Sequence, residues 1–277
     1  MTGLPPFEDL VRQALAEDLG GIGDITTLAT IPAASRSRAA IVARRPGTIA
    51  GVPVAKRAFE IVDPEISFVA RMSDGTRVAP GDVVIELAGP TRGILTAERV
   101  ALNFLGHLSG VATATADIVA AIAHTRTNVC CTRKTTPGLR ALEKYAVRCG
   151  GGVNHRMGLY DAILIKDNHI AAAGGVAAAI RAAKLGPKVK LEVEVDTLEQ
   201  LDEALAEGVD QILLDNMTPA QLKEAVARVK GRAITEASGS ITKVTASTIA
   251  ETGVDLMSVG WITHSAPCLD LGLDFHD

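Results

Sequence analysis

Leu191-Glu-Val-Glu-Val195 and Ile212-Leu-Leu-Asp-Asn216 are consecutive segments in which a short apolar run carries acidic residues. Comparable runs recur about every 20 residues in the second half of the chain, as expected of minimal strand–loop–helix–loop units. The strands predicted in this half are residues 128–132, 162–165, 190–195, 211–214, 233–236 and 256–259. Helical patterns lie between them, at residues 139–149, 175–185, 198–207, 219–229 and 243–252. This alternation predicts a parallel sheet, either open or closed into a barrel.

Polar or small residues stand at the end of nearly every one of these strands. They are Arg133-Lys134, Lys166-Asp167, Glu194, Asp215-Asn216, Glu236 and Gly260. Because barrel active sites collect residues from the C-terminal ends of several strands, this pattern favours a barrel over an open sheet. No GxGxxG follows the first strand, so a dinucleotide-binding sheet is disfavoured.

The N-terminal part of the chain has a different pattern. An amphipathic helix is predicted over residues 7–19, followed by a loop at residues 23–27. Short β-type runs with intervening turns then occupy residues 39–43, 48–50, 66–71 and 83–87, with a helix at residues 55–62. This predicts an α+β region with an antiparallel sheet. Residues 95–123 form one long helix, or two helices broken near Ser109-Gly110, and a domain boundary is expected near them.

The composition is that of an ordinary globular protein, with 277 residues, 47% of them hydrophobic and 22% charged. A net charge of −4 argues against bulk binding to nucleic acid or to an anionic membrane. The N-terminus lacks a signal-peptide pattern, and no uninterrupted apolar run approaches the ~18 residues of a membrane span. The four cysteines show no CxxC pair and no zinc-type spacing. We expect a soluble cytoplasmic protein.

Cations are concentrated in a stretch that begins at Cys131-Thr-Arg-Lys-Thr-Thr-Pro-Gly-Leu-Arg140. They are Arg133, Lys134, Arg140, Lys144, Arg148, Arg156 and Lys166. Such a run is ordinarily a solvated basic face. The turn residues at Thr135-Thr-Pro-Gly138 and Gly150-Gly-Gly152, however, suit a site that holds several negative groups close to the backbone. An anion-binding site is therefore favoured, with Arg140, Lys144 and Arg148 on a helix as weaker candidates.

Two glutamates, Glu192 and Glu194, share one face of their strand, and the apolar residues occupy the other. In a barrel the apolar face meets the helices, so both carboxylates point inward; the alternative is an edge strand with a solvated face. Asp215 stands at the equivalent point of the next strand. Carboxylates on neighbouring strand ends suit Mg²⁺ held with a phosphorylated ligand, or positive charge that develops in a transition state.

Lys166 also ends a strand, and it is either a Schiff-base nucleophile or a cation for a carboxylate or phosphate. The surrounding arginines favour the second role. His155 and His169 are candidates for proton donation or substrate binding, although a lone histidine is more often structural. Ser238-Gly-Ser240 and Val259-Gly260 follow late strands, where such loops offer N–H groups to a phosphate, and an ordinary turn is the alternative.

Further motifs extend over nearly the whole chain in a definite order. They are Glu17-Asp-Leu-Gly20, Gly23-Asp-Ile-Thr-Thr27, Ala97-Glu-Arg-Val-Ala-Leu-Asn103, Leu108-Ser-Gly-Val-Ala-Thr113, Thr132-Arg-Lys-Thr-Thr-Pro-Gly138, Gly150-Gly-Gly-Val-Asn-His-Arg156, Leu164-Ile-Lys-Asp-Asn-His169, Glu192-Val-Glu-Val195, Leu214-Asp-Asn216 and Thr263-His-Ser265. Taken together, they resemble the quinolinate phosphoribosyltransferases, a family of type II phosphoribosyltransferases.

The resemblance implies an α/β fold with an N-terminal α/β sandwich and an incomplete, seven-stranded-type α/β barrel. The sandwich domain would comprise residues 1–105, rejoined by residues 268–277, and the barrel domain residues 106–267 would carry most of the active site. The family also implies a homodimer, or a higher oligomer, in which the partner's N-terminal domain completes each active site. No nucleic-acid or membrane partner is expected.

The implied reaction converts quinolinate and phosphoribosyl pyrophosphate into nicotinate mononucleotide, CO₂ and pyrophosphate, with Mg²⁺, in de novo NAD biosynthesis. Carried over by position, the quinolinate site would consist of Arg133, His155, Arg156 and Lys166, with Arg99 from the neighbouring subunit. Lys134 would contact substrate or pyrophosphate, while Glu194 and Asp215 would hold the ribose and its Mg²⁺. The residues around the 5-phosphate would be Ser238, Gly239, Ser240, Gly260 and His264. The residues expected to act in catalysis are Lys134, Lys166, Glu194 and Asp215.

Two positions depart from the family pattern. Ser240 stands where a glycine is usual, and serine fits there only if the backbone does not require positive φ. Trp261 stands where a small residue is usual, and it either crowds the phosphate loop or packs aside. The alternatives are a paralogue that acts on another pyridine carboxylate, a Schiff-base lyase that uses Lys166, and a phosphosugar-binding barrel impaired by Trp261.

Overall fold

The structure is a computed structural model that describes residues 3–276, and these residues form two compact units. The first unit runs up to Ala114 and also contains Ala141–Gly151 and the residues from Ser265 onward. The second unit contains Thr115–Arg140 and Gly152–His264. The border between the units near Ala114 falls inside a continuous helix, and so does the boundary expected between residues 105 and 106.

The strands predicted from the sequence are all present, with ends that shift by at most three residues. Up to the long helix the elements are α1 (Glu8–Leu19), α2 (Ile25–Thr30), β1 (Arg36–Ala43), β2 (Gly47–Thr48), α3 (Val52–Val62), β3 (Ser67–Ala70), β4 (Arg77–Val78), β5 (Val83–Pro90) and α4 (Thr91–Ala121). The elements that follow are β6 (Asn128–Cys130), α5 (Arg140–Cys149), β7 (Ile163–Ile165), α6 (Asp167–Ala173), α7 (Val176–Lys184), β8 (Leu191–Val195), α8 (Leu198–Glu207), β9 (Gln211–Asp215), α9 (Pro219–Val229), β10 (Ile234–Ser238), α10 (Ala246–Ala250), β11 (Leu256–Ser258), α11 (Trp261–His264) and β12 (Leu271–His276).

The first unit is built on an antiparallel sheet with the strand order β12–β1–β5–β3. In the central strand β1, Ala39 lies opposite Leu87 on one side and opposite Phe275 on the other. The strand buries Ile41 completely, and α3 contributes the fully buried Phe59. The α/β sandwich predicted for the N-terminal region is confirmed. Its sheet also contains the C-terminal strand β12.

The prediction of a loop at residues 23–27 is wrong in part, because the helix α2 begins at Ile25. The side chain of Asp24 accepts the backbone N–H of Thr27 at 2.9 Å and caps the first turn of this helix. A side chain that satisfies an N–H at the helix start stabilises even a short helix. The six residues of α2 are too few to show a helical pattern in the sequence.

The helix α4 is continuous, so the alternative of a break near Ser109-Gly110 is wrong. Ser109 Oγ accepts the backbone N–H of Ala50 at 3.0 Å, and a Cβ on Gly110 would lie 2.2 Å from the carbonyl oxygen of Pro267. These small residues therefore admit neighbouring backbone without interrupting the helix. By length and composition alone α4 is apolar enough to span a membrane, but 56% of its most apolar window is buried inside the protein, as in the core helix of a soluble protein.

The second unit contains a parallel sheet with the strand order β6–β11–β10–β9–β8–β7. Strands β7 to β11 are neighbours in chain order and β6 returns beside β11, which is the order of strands around a barrel. On the other side of β6, Val153 forms a parallel bridge with Cys130 and supplies a short seventh position. Within residues 3–276, β6 and β7 do not pair directly, so the α/β barrel is incomplete, as predicted.

The register of this sheet places polar side chains at two levels. Glu192 lies opposite Gln211 near the start of the strands, and Asp215 lies opposite Ser238 at their carboxyl ends. Because side chains alternate along a strand, Glu192 and Glu194 share the same face. The carboxyl-end level and the level beneath it form the two parts of the site described below.

The helix predicted over residues 243–252 is shorter in the structure, where α10 begins at Ala246. Two threonines before it form a closed turn. The backbone N–H of Thr242 donates to Thr245 Oγ1 at 2.9 Å, and the N–H of Thr245 donates to Thr242 Oγ1 at 3.3 Å. Threonine hydroxyls compete with the helical hydrogen bonds in this way, which delays the start of the helix.

Candidate active site

A cavity of about 440 Å³ opens at the carboxyl ends of the barrel strands, and this volume is typical of a site for a small molecule. Its lining residues are Thr132, Arg133, Lys134, His155, Arg156, Leu164, Lys166, Glu194, Leu213, Asp215, Glu236, Ser238 and Ser258. All of them belong to the second unit. Most of the site residues predicted from the sequence are therefore brought together in one cavity.

Four cations line this cavity. Arg133 and Lys134 follow β6, Arg156 precedes β7 and Lys166 follows it. Burial, and then the charge of Arg133, lower the pKa of Arg156, because both disfavour the charged guanidinium. The buried Nε of Arg133 has no hydrogen-bond partner in the described part of the chain. An anion bound here would relieve the repulsion between the cations and occupy their remaining donors.

Arg140, a weaker candidate in the sequence, begins α5 and holds two loops in place. Its Nε donates to Thr135 Oγ1 at 3.0 Å, and its two Nη atoms donate to the carbonyl oxygens of Met157 at 3.2 Å and Arg133 at 3.4 Å. These contacts tie the segment that carries Arg133 to the segment that follows Arg156. Arg140 therefore supports the site and does not line it.

Two carboxylates, Glu194 and Asp215, face the same cavity. Glu194 forms an ion pair with Lys166, and Asp215 Oδ2 accepts a hydrogen bond from Asn216 Nδ2 at 2.6 Å. The prediction that Glu192 and Glu194 both point inward is confirmed, because each lines a cavity of the barrel. Carboxylate oxygens are the protein ligands that Mg²⁺ prefers, so the donors present here fit a magnesium site.

A second set of polar side chains lies at the level beneath these carboxylates. His155 Nε2 lies 2.9 Å from Glu192 Oε2 and 3.7 Å from Glu236 Oε1, and the amide of Gln211 donates to both glutamates. We call His155, Glu192, Gln211 and Glu236 the buried polar layer. Of these residues only His155 was assigned to a substrate from the sequence, which put Glu192 on the inward face and Glu236 at a strand end without a specific role. The available signal was strand alternation, which puts Glu192 in phase with Glu194.

The buried polar layer contains ligand types that metals use, since His155, Glu192 and Glu236 bring possible ligand atoms within 4.8 Å of one another. However, hydrogen-bond donors already face both carboxylates. Gln211 donates to each glutamate, and Ser258 Oγ donates to Glu236. The layer is therefore organised as a hydrogen-bonded network.

Glu236 is fully buried, and this burial raises the pKa of its carboxyl to about 7. The neighbouring charge of Glu192 acts in the same direction, while His155 and the hydrogen bond from Ser258 act against it. Glu236 is thus the carboxyl group of the layer that gains or loses a proton close to neutral pH.

Five residues that the sequence assigned to the substrates do not line the cavity. They are Arg99, Gly239, Ser240, Gly260 and His264. Arg99 belongs to α4 in the first unit and is exposed, with 65% of its side chain accessible. Gly260 lies next to the cavity wall, because a Cβ there would be 3.2 Å from Lys134 Cδ and 3.6 Å from His264 Nε2. The absence of a side chain at Gly260 leaves room for Lys134.

His169 has a local structural role. Its Nδ1 accepts the backbone N–H of Lys166 at 3.0 Å and caps the short helix α6. Its exposed ring is not part of the cavity lining. The sequence suggested the same possible roles for His169 and His155, but of the two only His155 lines the cavity.

Comparison with known proteins supports the family resemblance over nearly the whole chain. The profile of the Quinolinate phosphoribosyl transferase, N-terminal domain, matches residues 24–109, and that of the C-terminal domain matches residues 111–274. The chain is 48% identical over 272 residues to the nicotinate-nucleotide pyrophosphorylase (carboxylating) of Mycobacterium leprae (strain TN), with 96% of each chain covered. The chain belongs to the quinolinate phosphoribosyltransferase family.

Other members of the family are similar in sequence and in structure. The quinolinate phosphoribosyltransferase (decarboxylating) 1 of Nicotiana glauca is 41% identical over 287 residues, which cover 96% of this chain and 81% of the relative. The crystal structure of NadC from Streptococcus pyogenes has 44% sequence identity and a TM-score of 0.94, with 100% of both chains covered. The fold predicted from the family motifs is confirmed.

The loop after β10, one of the two departures from the family pattern, has a left-handed backbone at Ser240. Its φ is 43°, so the condition under which serine fits without strain is not met. The preceding Gly239 has a φ of 113°, and a Cβ there would lie 2.3 Å from Asn216 Oδ1. A glycine is therefore required at position 239, both by the positive φ and by the close approach of Asn216. At position 240 a serine is accommodated, but with a strained backbone.

Trp261, the other departure from the family pattern, packs aside. Its indole Nε1 donates to the carbonyl oxygen of Ile241 at 3.0 Å, and its ring does not line the cavity. The indole thereby links the start of α11 to the loop after β10. This bond holds the loop that contains Ser240, and it leaves the cavity open.

Replacing Ser240 with glycine should stabilise the protein by up to about 1 kcal/mol, because glycine adopts positive φ without steric strain. The free energy of unfolding from urea titrations checks this. Ser247→Gly makes the same chemical change inside α10 and should lose about 1 kcal/mol, since glycine is unfavourable in a helix. A loss of stability in Ser240→Gly equal to that of the helical control would contradict the proposed strain.

Replacing Glu236 with glutamine should change the pH dependence of stability. In the folded protein Glu236 holds its proton up to about pH 7, whereas the unfolded chain releases it near the ordinary value of 4.5. The wild-type free energy of unfolding therefore contains a contribution that falls as the pH rises through this window. Glu236→Gln lacks that contribution, so its stability relative to wild type should rise by about 3 kcal/mol between pH values of about 4.5 and 7.5.

Urea unfolding at several pH values measures this difference. The matched control is Glu203→Gln, an exposed glutamate on α8, whose stability should follow the wild type at every pH. A Glu236→Gln curve parallel to the wild-type curve would show that Glu236 has no raised pKa.

Proposed function

We propose that this protein transfers the phosphoribosyl group of phosphoribosyl pyrophosphate to quinolinate, with release of CO₂ and pyrophosphate, and so forms nicotinate mononucleotide for NAD biosynthesis. The observation that carries the proposal is one cavity in which four cations stand together with the carboxylates of Glu194 and Asp215. Family membership over nearly the whole chain supports the same reaction.

The cations suit the first substrate. Quinolinate carries two adjacent carboxylates, and guanidinium groups bind carboxylates through paired hydrogen bonds in a fixed geometry. We assign Arg133, Arg156 and Lys166 to this dianion, and His155 lies beside them in the cavity wall. The unpartnered Nε of Arg133 and the lowered pKa of Arg156 are both consistent with a site that binds an anion.

The carboxylates suit the transition state. The pyridine nitrogen attacks the anomeric carbon as the bond to pyrophosphate breaks, and pyrophosphate leaves with the electron pair. Positive charge develops on the ribose during this step, and the carboxylates of Glu194 and Asp215 can offset it. We assign Lys134 to the departing pyrophosphate, and Thr263 Oγ1 holds the backbone of Lys134 by donating to its carbonyl oxygen at 2.6 Å.

Decarboxylation follows from the product of that step. Once ribosylated, the ring nitrogen is cationic and accepts the electron pair of the bond between C2 and its carboxylate as CO₂ departs. A proton then replaces CO₂ at C2. The protein contributes orientation and an ordered set of charges more than covalent chemistry.

Magnesium and the phosphate are assigned to the remaining groups. We propose that Glu194 and Asp215 hold Mg²⁺, which would neutralise charge on the pyrophosphate. We further propose that the loops with Ser238, Gly239 and Ser240, and with Gly260 and His264, surround the 5-phosphate. Backbone N–H groups in such glycine-containing loops after late barrel strands bind phosphates in many barrels.

We also propose a homodimer, or a higher oligomer, in the cytoplasm. In this arrangement Arg99 reaches the active site of the partner subunit, where it adds a further cation to the quinolinate site. The exposure of the Arg99 side chain is consistent with this role. Its guanidinium lies 3.8 Å from the carboxylate of Glu98, which is a weak contact for an ion pair.

The alternatives are less well supported. A Schiff-base lysine must present its amine to a carbonyl carbon, whereas the Nζ of Lys166 is engaged in an ion pair with Glu194. Trp261, which was the reason to consider a catalytically impaired barrel, packs outside the cavity. A paralogue for another pyridine carboxylate would not need so many cations, since a single carboxylate carries half the charge of quinolinate.

One assay tests the reaction and the assignment together. The protein is incubated with Mg²⁺, phosphoribosyl pyrophosphate and either quinolinate or nicotinate, and mononucleotide and CO₂ are measured. We expect product from quinolinate only. Lys166→Ala should lower kcat/KM by about 100-fold or more, whereas Lys223→Ala, at an exposed position on α9, should leave it unchanged. Product from nicotinate alone, or full activity in Lys166→Ala, would refute the proposal.

A further inference from the structure

The buried polar layer contains more charge than an interior ordinarily tolerates. Glu192, Gln211 and Glu236 are 2%, 1% and 0% exposed, and they stand on the inward face of three neighbouring strands. Buried carboxylates are stable only when donors face them. The donors and acceptors of this layer can therefore be counted group by group, and the count determines which atoms carry protons.

The amide of Gln211 has a single possible orientation. Lys190 Nζ donates to its Oε1, and an ammonium group has no acceptor, so this atom must be the carbonyl oxygen. The Nε2 of Gln211 consequently faces the acids, donating to Glu192 Oε1 at 2.9 Å and also to Glu236. Lys190 thus determines that Gln211 presents N–H groups to both glutamates.

The ring of His155 is likewise restricted to one tautomer. The backbone N–H of Arg156 donates to His155 Nδ1 at 2.8 Å, and a backbone N–H can only donate. The Nδ1 atom must therefore be unprotonated, and the ring proton resides on Nε2. That nitrogen lies 2.9 Å from Glu192 Oε2, which accepts a hydrogen bond from the Nε2–H group. The two oxygens of Glu192 are thus used by two different donors, His155 and Gln211.

We propose that Glu192 is a positioning residue for the quinolinate site, where it holds His155 as the Nε2–H tautomer so that Nδ1 can fix the backbone of Arg156. The inference rests on the proposed function, since Arg156 is there assigned to the substrate dianion. Both ring nitrogens of His155 are engaged within the protein, so the ring acts through Arg156 and not as a proton donor to the substrate. A carboxylate that orients a histidine through its distal nitrogen is a common device in active sites and metal sites.

The chemistry of the layer makes Glu192 irreplaceable by glutamine. Glutamine offers one acceptor oxygen and one NH₂ group, so at position 192 one of the donors, His155 or Gln211, would face another donor. At position 236 the same change can be accommodated. The carbonyl of a glutamine there can accept from Gln211, and its NH₂ can donate to Ser258 Oγ, because a hydroxyl can turn to accept. Two chemically identical substitutions should therefore have different effects.

The test compares Glu192→Gln with Glu236→Gln, and uses the exposed Glu203→Gln as the unchanged control. Calorimetric titration with quinolinate alone measures binding without turnover, and titration with phosphoribosyl pyrophosphate measures the other substrate. We expect Glu192→Gln to weaken quinolinate binding by about tenfold or more and to leave phosphoribosyl pyrophosphate binding within about twofold. Glu236→Gln should bind quinolinate more tightly than Glu192→Gln does.

A ¹⁵N correlation spectrum of the histidine rings reads the tautomer directly, and the His155 signals are identified by their loss in His155→Gln. In the wild type and in Glu236→Gln the proton should be on Nε2, and in Glu192→Gln this tautomer should no longer predominate. A wild-type proton on Nδ1 would overturn the proposal even if Glu192→Gln did not fold. An unchanged tautomer in Glu192→Gln, or an equal loss of both substrates, would also overturn it.

The two proposals fail in different ways. If the protein does not convert quinolinate but the tautomer and the binding difference are as expected, the reaction is wrong and the positioning role of Glu192 stands. If conversion occurs and Glu192→Gln binds quinolinate as the wild type does, the reaction stands and the positioning role is wrong.

Discussion

Like charges held together in a small cavity repel each other, and the site of this protein depends on how that repulsion is offset. Burial, and then the charge of Arg133, lower the pKa of Arg156, while the charge of Glu192 acts to raise it. Lys166 forms an ion pair with Glu194 in the lining of the same cavity. The carboxylates thus offset part of the repulsion between the cations before any anion binds, so less rearrangement is required of them when the substrate arrives.

Strand geometry makes this arrangement possible. Side chains two residues apart along a strand point to the same face, so a single strand can place one carboxylate at the cavity and another at the level below. In β8 these are Glu194 and Glu192. Parallel neighbours then add Gln211 and Asp215 from β9, and Glu236 from β10, in the register that the sheet defines. The barrel supplies the scaffold, and alternation along its strands supplies the two levels.

Much of this could be predicted from the sequence, because strand patterns and strand-end residues are local. The barrel, the N-terminal sandwich and the gathering of Arg133, Lys166 and Glu194 all followed from them or from the family motifs. The network between Gln211 and Glu236 could not be predicted, since these residues meet only through the register between strands. The assignment of Ala141–Gly151 to the first unit likewise depends on tertiary packing. The positive φ of Ser240 is set by its loop, and nothing in the residue itself indicates it.

The central claim is that the cavity joins ribosylation of the pyridine nitrogen to loss of the adjacent carboxylate. Quinolinate labelled with ¹³C in its C2 carboxylate tests this most directly, in the presence of Mg²⁺ and phosphoribosyl pyrophosphate. We expect labelled CO₂ and pyrophosphate in equal amounts, with unlabelled nicotinate mononucleotide as the product. Labelled CO₂ in the absence of phosphoribosyl pyrophosphate, or a mononucleotide that retains the label, would contradict the account.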